Sequence, residues 1–260
     1  MTAPLDLDPP VLVARDGAIL TITINRPRAR NAIDLATSVA VADALDRLDA
    51  DAQLTVGIIT GAGGHFCAGM DLKAFLRGER VELEGRGLAG LVERPPAKPL
   101  IAAVEGFALA GGCEIALACD LIVAAENAQF GIPEVRRGLI AGSGGLLRLP
   151  QRIPRQIAME FALTGKLMSA GEARSWGLVN RMTPPGGALE GAHALALEIA
   201  ANAPLAVAMT KRILTESPDW PAAERLGRQR EILERIMVSN DAREGALAFA
   251  EKRAPLWRGS

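Results

Sequence analysis

The sequence predicts an α/β core that gives way to a helical tail. Three observations carry this reading. Short apolar runs ending in glycine, at 54–60 and 100–104, suit strands buried on both faces. Apolar residues three or four apart across 32–48 suit an amphipathic helix, and beyond residue 150 helical patterns follow one another. The expected division is a core over residues 1–200 and a helical region over 201–260. With 49% hydrophobic and 23% charged residues, 260 positions are enough to bury a sizeable core.

Taken in order, Val11 to Ala14 and Ile19 to Ile24 alternate apolar with polar positions around Asp16-Gly17, a pair suited to a tight hairpin turn. In the helix that follows, Leu35, Val39, Ala42, Leu45 and Leu48 make the buried stripe and Asp34, Asp43, Asp46 and Asp49 the outer face. Strands are expected again at 54–60, 100–104 and 120–124. Ser169-Ala-Gly-Glu172 is a capping box that opens a helix. Pro184, Pro185, Gly186 and Gly187 mark a loop between core and tail, and the tail begins near Pro204. Ile232, Leu233, Ile236 and Met237 share one side of a tail helix, a face for a neighbouring subunit or for intrachain packing.

Composition removes several classes of function. The 29 Lys and Arg against 30 Asp and Glu leave no basic field for nucleic acid or an anionic membrane. Aromatics at 3%, with no Tyr, leave few surfaces on which bases could stack. Met1 to Pro10 lacks the pattern of a signal peptide and no apolar run is long enough to span a bilayer, so a cytoplasmic protein is expected. Cys67, Cys113 and Cys119 form no C-x-x-C pair and read as buried thiols.

Chemistry concentrates in three glycine-bearing segments, 61–73, 103–120 and 130–150. Gly61-Ala-Gly-Gly64 follows a strand, but Phe66 stands where a dinucleotide fingerprint needs glycine. Ala141-Gly-Ser143-Gly-Gly145 approaches a nucleophile elbow, but it lacks the leading glycine, and His65 and His193 are the chain's only histidines. Gly111-Gly112-Cys113-Glu114 is more informative. Glycines entering a helix admit a ligand to free amides, and Glu114 sits beside them on the first turn. Glu134 follows after one predicted strand, which can return it to the same cleft, where two carboxylates divide acid and base work. The plainer alternatives are a helix-start glutamate at 114 and a surface Glu134 paired with Arg136 or Arg137.

NRPRARNAI at 25–33, FCAGMDLK at 66–73, KPLIAAVEGFALAGGCEIALACD at 98–120 and FGIPEVRRGLIAGSGGLLRLP at 130–150 resemble successive motifs of the crotonase, or enoyl-CoA hydratase and isomerase, superfamily. The similarity continues through 163–180 and 244–253. It implies an α/β spiral of strand, strand, helix repeats with a C-terminal helical trimerisation region, as a homotrimer or dimer of trimers. It also implies an acyl-CoA thioester as substrate, with coenzyme A entering as part of that substrate and no metal or other cofactor.

Carried over residue by residue, the resemblance makes Glu114 and Glu134 the catalytic pair of a hydratase. Glu134 gives a proton to C2 and Glu114 activates water for C3, with the Gly142 amide helping to hold that water. The backbone amides of Met70 and Gly111 grip the thioester oxygen. An amide set in place before the reaction lowers such an enolate-like barrier by about 3–4 kcal/mol. Expected contacts to CoA and substrate are Arg26, Arg28, Ala29, Ala68, Asp71, Leu72, Lys73, Phe249 and Lys252, with Arg30 in the basic patch. Leu139, Ile140 and Phe130 are expected to wall the carboxylates. Ala141 replaces a proline usual in short-chain hydratases and Met70 a commoner alanine, changes that would reshape the acyl pocket. The rivals are an enoyl-CoA isomerase, other chemistry of the superfamily, and a non-catalytic binding or assembly protein.

Overall fold

The computed structural model describes residues 8–260. Of the Met1 to Pro10 stretch, the first seven residues lie outside the described residues.

The chain winds as a spiral in which each turn adds to two β ladders. β1 (Val11–Asp16) and β2 (Ile19–Ile24) form the opening hairpin. Asp16 pairs with Ile19, so the turn is Gly17-Ala18, one residue later than expected, and Gly17 takes the positive φ of +54°. The chain then passes through a 3-10 turn at Pro27–Ala29, bridges Ile33 to Met70 and enters α1 (Leu35–Ala50). The second turn runs β3 (Val56–Gly61), a bridge from Cys67 to Ala108, α2 (Leu72–Leu76) and a small hairpin of β4 (Glu82–Leu83) and β5 (Gly87–Leu88). The third is β6 (Leu100–Val104), β7 (Phe107–Leu109) and α3 (Gly111–Ala118). The fourth is β8 (Leu121–Ala125), β9 (Gln129–Gly131), a 3-10 turn at Glu134–Arg137, α4 (Gly145–Arg152) and α5 (Arg155–Thr164). Then come β10 (Leu167–Ser169), α6 (Ala170–Ser175), β11 (Arg181–Thr183) and α7 (Ala188–Ala200), followed by α8 (Pro204–Glu216), α9 (Arg225–Met237) and α10 (Asn240–Glu251).

The main sheet has the order β1-β2-β3-β6-β8-β11, parallel from β2 onward, and the second ladder the order β10-β9-β7. Both faces of the main sheet are covered. Leu20, Ile22, Ile59 and Ala102 pack with Val41, Leu45 and Leu48 of α1, while Ile58, Ile101, Ala103 and Val123 pack with Ala188, Ala192 and Ala196 of α7. Burial on both sides is why these strands read as continuous apolar runs.

Two expectations about elements change. α1 begins at Leu35, capped by Asp34, and its buried stripe is Thr37, Ser38, Val41, Ala42, Ala44, Leu45 and Leu48; Leu35 and Val39 are exposed. Three of the outer aspartates are occupied. Asp34 accepts from the Thr37 amide, Asp46 pairs with Arg86, and Asp49 accepts from the amides of Ala97 and Lys98. The loop at 184–187 lies between β11 and α7. It therefore falls inside the core, because α7 packs on the main sheet.

The tail is tied to the core chiefly by Lys211 of α8. Its ammonium donates to the carbonyls of Pro96 (2.7 Å) and Lys98 (2.9 Å) and pairs with Asp120 (2.7 Å). Near the C-terminus, the Trp257 indole donates to the Ala201 carbonyl at 2.8 Å. Trp220 is buried, with the Arg228 guanidinium 5.9 Å from the ring centroid. Of the apolar side expected on α9, Ile232 is buried whereas Leu233 and Met237 are exposed. Among the described residues no single helix is long and apolar enough to cross a membrane.

Candidate active site

The site forms where the second ladder ends and α3 begins. Leu109 N–H donates to the Cys67 carbonyl and Ala110 N–H to that of Gly131, which fixes the chain just before the helix. Ala110 then takes φ +52° and ψ −128°, a conformation costly for a residue with a Cβ, and Gly111 starts α3. The facing segment, Cys67 to Met70, turns at Gly69, φ +95°. A Cβ on Gly69 would stand 2.9 Å from the Gly111 nitrogen, and one on Gly111 would stand 3.6 Å from the Met70 nitrogen. The amides of Met70 and Gly111 are therefore neighbours, and among the described residues neither donates a hydrogen bond. Gly112 has a different duty, since a Cβ there would meet the Cys67 carbonyl oxygen at 2.1 Å.

Glu114, on the first turn of α3, is buried to 2% exposure. Its Oε1 accepts the amides of Ser143 (2.8 Å) and Gly145 (2.9 Å). Gly145 must lack a side chain, because a Cβ would stand 2.7 Å from Glu114 Cγ. Burial pushes the Glu114 pKa above the usual carboxylate value and Glu82 adds to the push, outweighing those two amides and the Arg148 guanidinium. Ser143, the centre of the apparent nucleophile elbow, thus serves through its amide.

Glu134 opens the 3-10 turn after Pro133, and its Oε2 is buried without a hydrogen-bond partner among the described residues. Its pKa is also raised, first by burial and then by the charge on Glu114, against its own amide and Arg137. The Glu134 carboxyl therefore lies within reach of the charge on Glu114. Of the partners considered for a surface Glu134, Arg136 donates to the Thr164 carbonyl. In the expected wall Phe130 is fully buried, but Leu139 and Ile140 are 56% and 78% exposed and enclose nothing within the chain. Gly142 is exposed, and its amide makes no hydrogen bond among the described residues.

Beside Met70 a cavity of about 370 Å³ opens between α2 and β4, lined by Phe75, Glu79, Arg80, Val81 and Glu82. Ala68 is half-buried, while Leu72 and Lys73 are exposed on α2. Arg26 and Asp71 answer each other. The Arg26 guanidinium pairs with both Asp71 and Asp34 at 2.9 Å and donates to the Ala32 carbonyl. Asp71 caps α2 by accepting from Lys73 and Ala74. Burial raises its pKa, but Arg26 and those amides prevail and hold it below the usual value. These two expected substrate contacts therefore hold elements together. Arg28 and Arg30 are exposed and Ala29 half-buried in the same loop. Phe249, 88% exposed, and Lys252, which caps α10, lie on a helix that packs against α9. The chain does not bring them to the Glu114 site by itself.

Three residues that the motifs did not single out help build the site. Asn31, fully buried with φ +56°, accepts from Arg26 N–H and donates to the carbonyls of Ala62 and His65, joining the loops after β2 and β3. Arg148 touches the loop that holds Glu114, and Glu82 stands on the cavity wall. The three cysteines are buried, with burial pushing each thiol to about 12. Among the described residues no group of three or more His, Cys, Asp or Glu could hold a metal ion.

A family model described as enoyl-CoA hydratase/isomerase matches residues 14–260. The carnitinyl-CoA dehydratase of Salmonella typhi is 46% identical over 255 residues, 95% of this chain and 97% of that protein. Among solved structures, an enoyl-CoA hydratase, EchA1, from Mycobacterium marinum is 65% identical with a TM-score of 0.96, over 97% of this chain and 100% of that one. A carnitinyl-CoA hydratase from Mycobacterium avium is 46% identical with a TM-score of 0.79, again over 97% and 100%. A match to the family model over nearly the whole chain, with the α/β spiral and the glutamate pair already in place, leads to one conclusion: the chain belongs to the enoyl-CoA hydratase/isomerase family, the crotonase superfamily.

Proposed function

We propose that this protein is a hydro-lyase that adds water across the 2,3 double bond of an enoyl-CoA thioester. The observation that carries this reading is the pair of carboxyl groups. Glu114 is fixed through one oxygen by two amides, and Glu134, within reach of its charge, has a buried oxygen without a partner among the described residues.

The thioester oxygen lies against the unengaged amides of Met70 and Gly111. As hydroxide forms a bond to C3, the π electrons move toward that oxygen and the amides hold the developing negative charge. Glu114 takes the proton from the attacking water. Glu134 delivers one to C2, and electrons return from the enolate to complete the new C–H bond. Burial suits both tasks, since each carboxyl binds its proton more tightly than in water. The amide of Gly142 is the third support for the water. Phe249 and Lys252 are assigned to the nucleotide end of the ligand, in a homotrimer or dimer of trimers, and the working compartment is the cytoplasm.

A second reading concerns the acyl group. Glu82 lines the cavity beside Met70, and among the described residues its carboxylate has no hydrogen bond or ion pair. That suits an acyl chain carrying a cation, as in the relatives named for carnitinyl-CoA. Comparing kcat/KM for a plain short enoyl-CoA and for one bearing a quaternary ammonium group separates the two.

The central test follows loss of the conjugated-thioester absorbance. E114Q and E134Q should each lower kcat about 10²–10⁴-fold. Unchanged turnover in either variant defeats the assignment, and conversion of a 3-enoyl to a 2-enoyl thioester without hydration favours an isomerase.

A further inference from the structure

Arg148 is a half-buried cation on α4, and among the described residues no carboxylate is bonded to it. Its guanidinium donates to two main-chain carbonyls, Ser143 at 3.3 Å and Val92, a core residue just after β5. Between Ser143 and the helix lies Gly144, at φ +86°. A Cβ there would stand 2.4 Å from Arg148 Nη1, so the guanidinium passes directly over this glycine. Ser143 and Gly145, on either side of that glycine, give the two amides that hold Glu114 Oε1. One short loop therefore carries amides that grip the carboxylate and a carbonyl that the guanidinium grips in turn.

We infer that Arg148 is a positioning residue for Glu114: by bridging the carbonyls of Ser143 and Val92 it fixes the 143–145 loop, and through the loop's amides it fixes the carboxylate. A guanidinium suits this because its planar fork holds its donors in fixed directions, so that bonding two acceptors on different segments fixes one segment against the other. An arginine that merely stitched α4 to the core would have no need of Ser143. Its charge also acts on Glu114. The other charged groups facing Glu114 are Glu82 from β4 and Glu134 from the 3-10 turn, both acidic, while Arg152 presses on Arg148 from the next turn of α4.

The inference rests on the hydratase reading for its kinetic readout only, and a second readout needs no substrate. In R148M, hydrogen exchange at the Ser143 and Gly145 amides should quicken by about tenfold or more as the loop loosens. kcat should fall ~100-fold with KM within about threefold, because Glu114 is displaced while the thioester grip remains. The acid limb of the kcat profile should move to higher pH, since a cation favouring ionised Glu114 is gone. R148K keeps the charge and loses the bridge, so its amides should still exchange faster while its acid limb stays near that of the parent. A folded R148M with parental exchange at both amides overturns the inference, whatever its kcat. If R148M does not fold, R148K decides, and parental exchange and kcat there overturn it. If the parent protein hydrates no enoyl-CoA the functional reading fails, and the exchange measurement still decides this one.

Discussion

A carboxylate held by one oxygen leaves the other to act, and at Glu114 both amides fall on Oε1. The pH dependence follows from burial. Under the proposed hydration Glu114 works ionised and Glu134 protonated, so kcat against pH should be bell-shaped. The acid limb reports Glu114 and the alkaline limb Glu134, and both lie above the ordinary carboxylate range. The same shifts set the sign for stability. A carboxyl whose folded pKa is raised keeps its proton where the unfolded chain has lost it, so stability falls as pH rises from about 4 toward the raised value and stays lower beyond it. E114Q keeps an oxygen for both amides and sheds the charge. Its denaturation midpoint should exceed that of the parent at pH 8, and the gap should close near pH 4. An equal midpoint at both pH values would contradict the burial argument. Asp71 has the opposite sign, because its folded pKa is lowered. Its contribution is present above the unfolded value and is lost as pH falls through the folded one.

Among elements, the start of α3 and the two helices that Arg26 joins matter most. Ala110 holds a positive φ at the last residue before the Gly111 amide. A110G should raise stability by about 1 kcal/mol, by removing strain, and should lower kcat because the turn is no longer confined to one conformation. Chemical denaturation and steady-state kinetics on the same sample check both signs. Arg26 lies between Asp34 and Asp71, the N-caps of α1 and α2. R26A should cost about 1–3 kcal/mol and leave KM for the thioester nearly unchanged, whereas a phosphate-binding arginine would show itself in KM. The glycine pair and the two glutamates were legible as residue types in motif order, and they stand at the start of α3 and of the 3-10 turn after β9. The duty of Arg26 was not, because it depends on two aspartates 8 and 45 residues away. The α1 stripe was misread for a related reason. Thr37 and Ser38 are buried because Asp34 and the Val81 carbonyl satisfy their hydroxyls, and a count of apolar residues passes over them. β7, β9 and β10, three residues each, are too short to show a period, and their pairing partners are distant in sequence.

Across the whole molecule, the main sheet is a spacer between α1 and α7, and β6 and β8 hand the chain over to β7 and β9 of the second ladder, where the site forms. The spiral repeats in structure without a sequence repeat, because only burial on two faces and a turn at each strand end are required. The tail depends on fewer contacts. Replacing Lys211 by Met leaves Asp120 and two carbonyls without their cation, and should cost about 2–3 kcal/mol. α8 to α10 should then be cut by protease before the core, as limited digestion followed by mass analysis would show. Equal cleavage rates in the two proteins would mean that other contacts hold the tail. Trp220 and Trp257 both belong to this region, Trp176 closes α6, and there is no Tyr. None of the three tryptophans lines the cavity beside Met70. The protein thus carries native optical probes, and the ultraviolet emission of Trp220 and Trp257 should report detachment of the C-terminal helices.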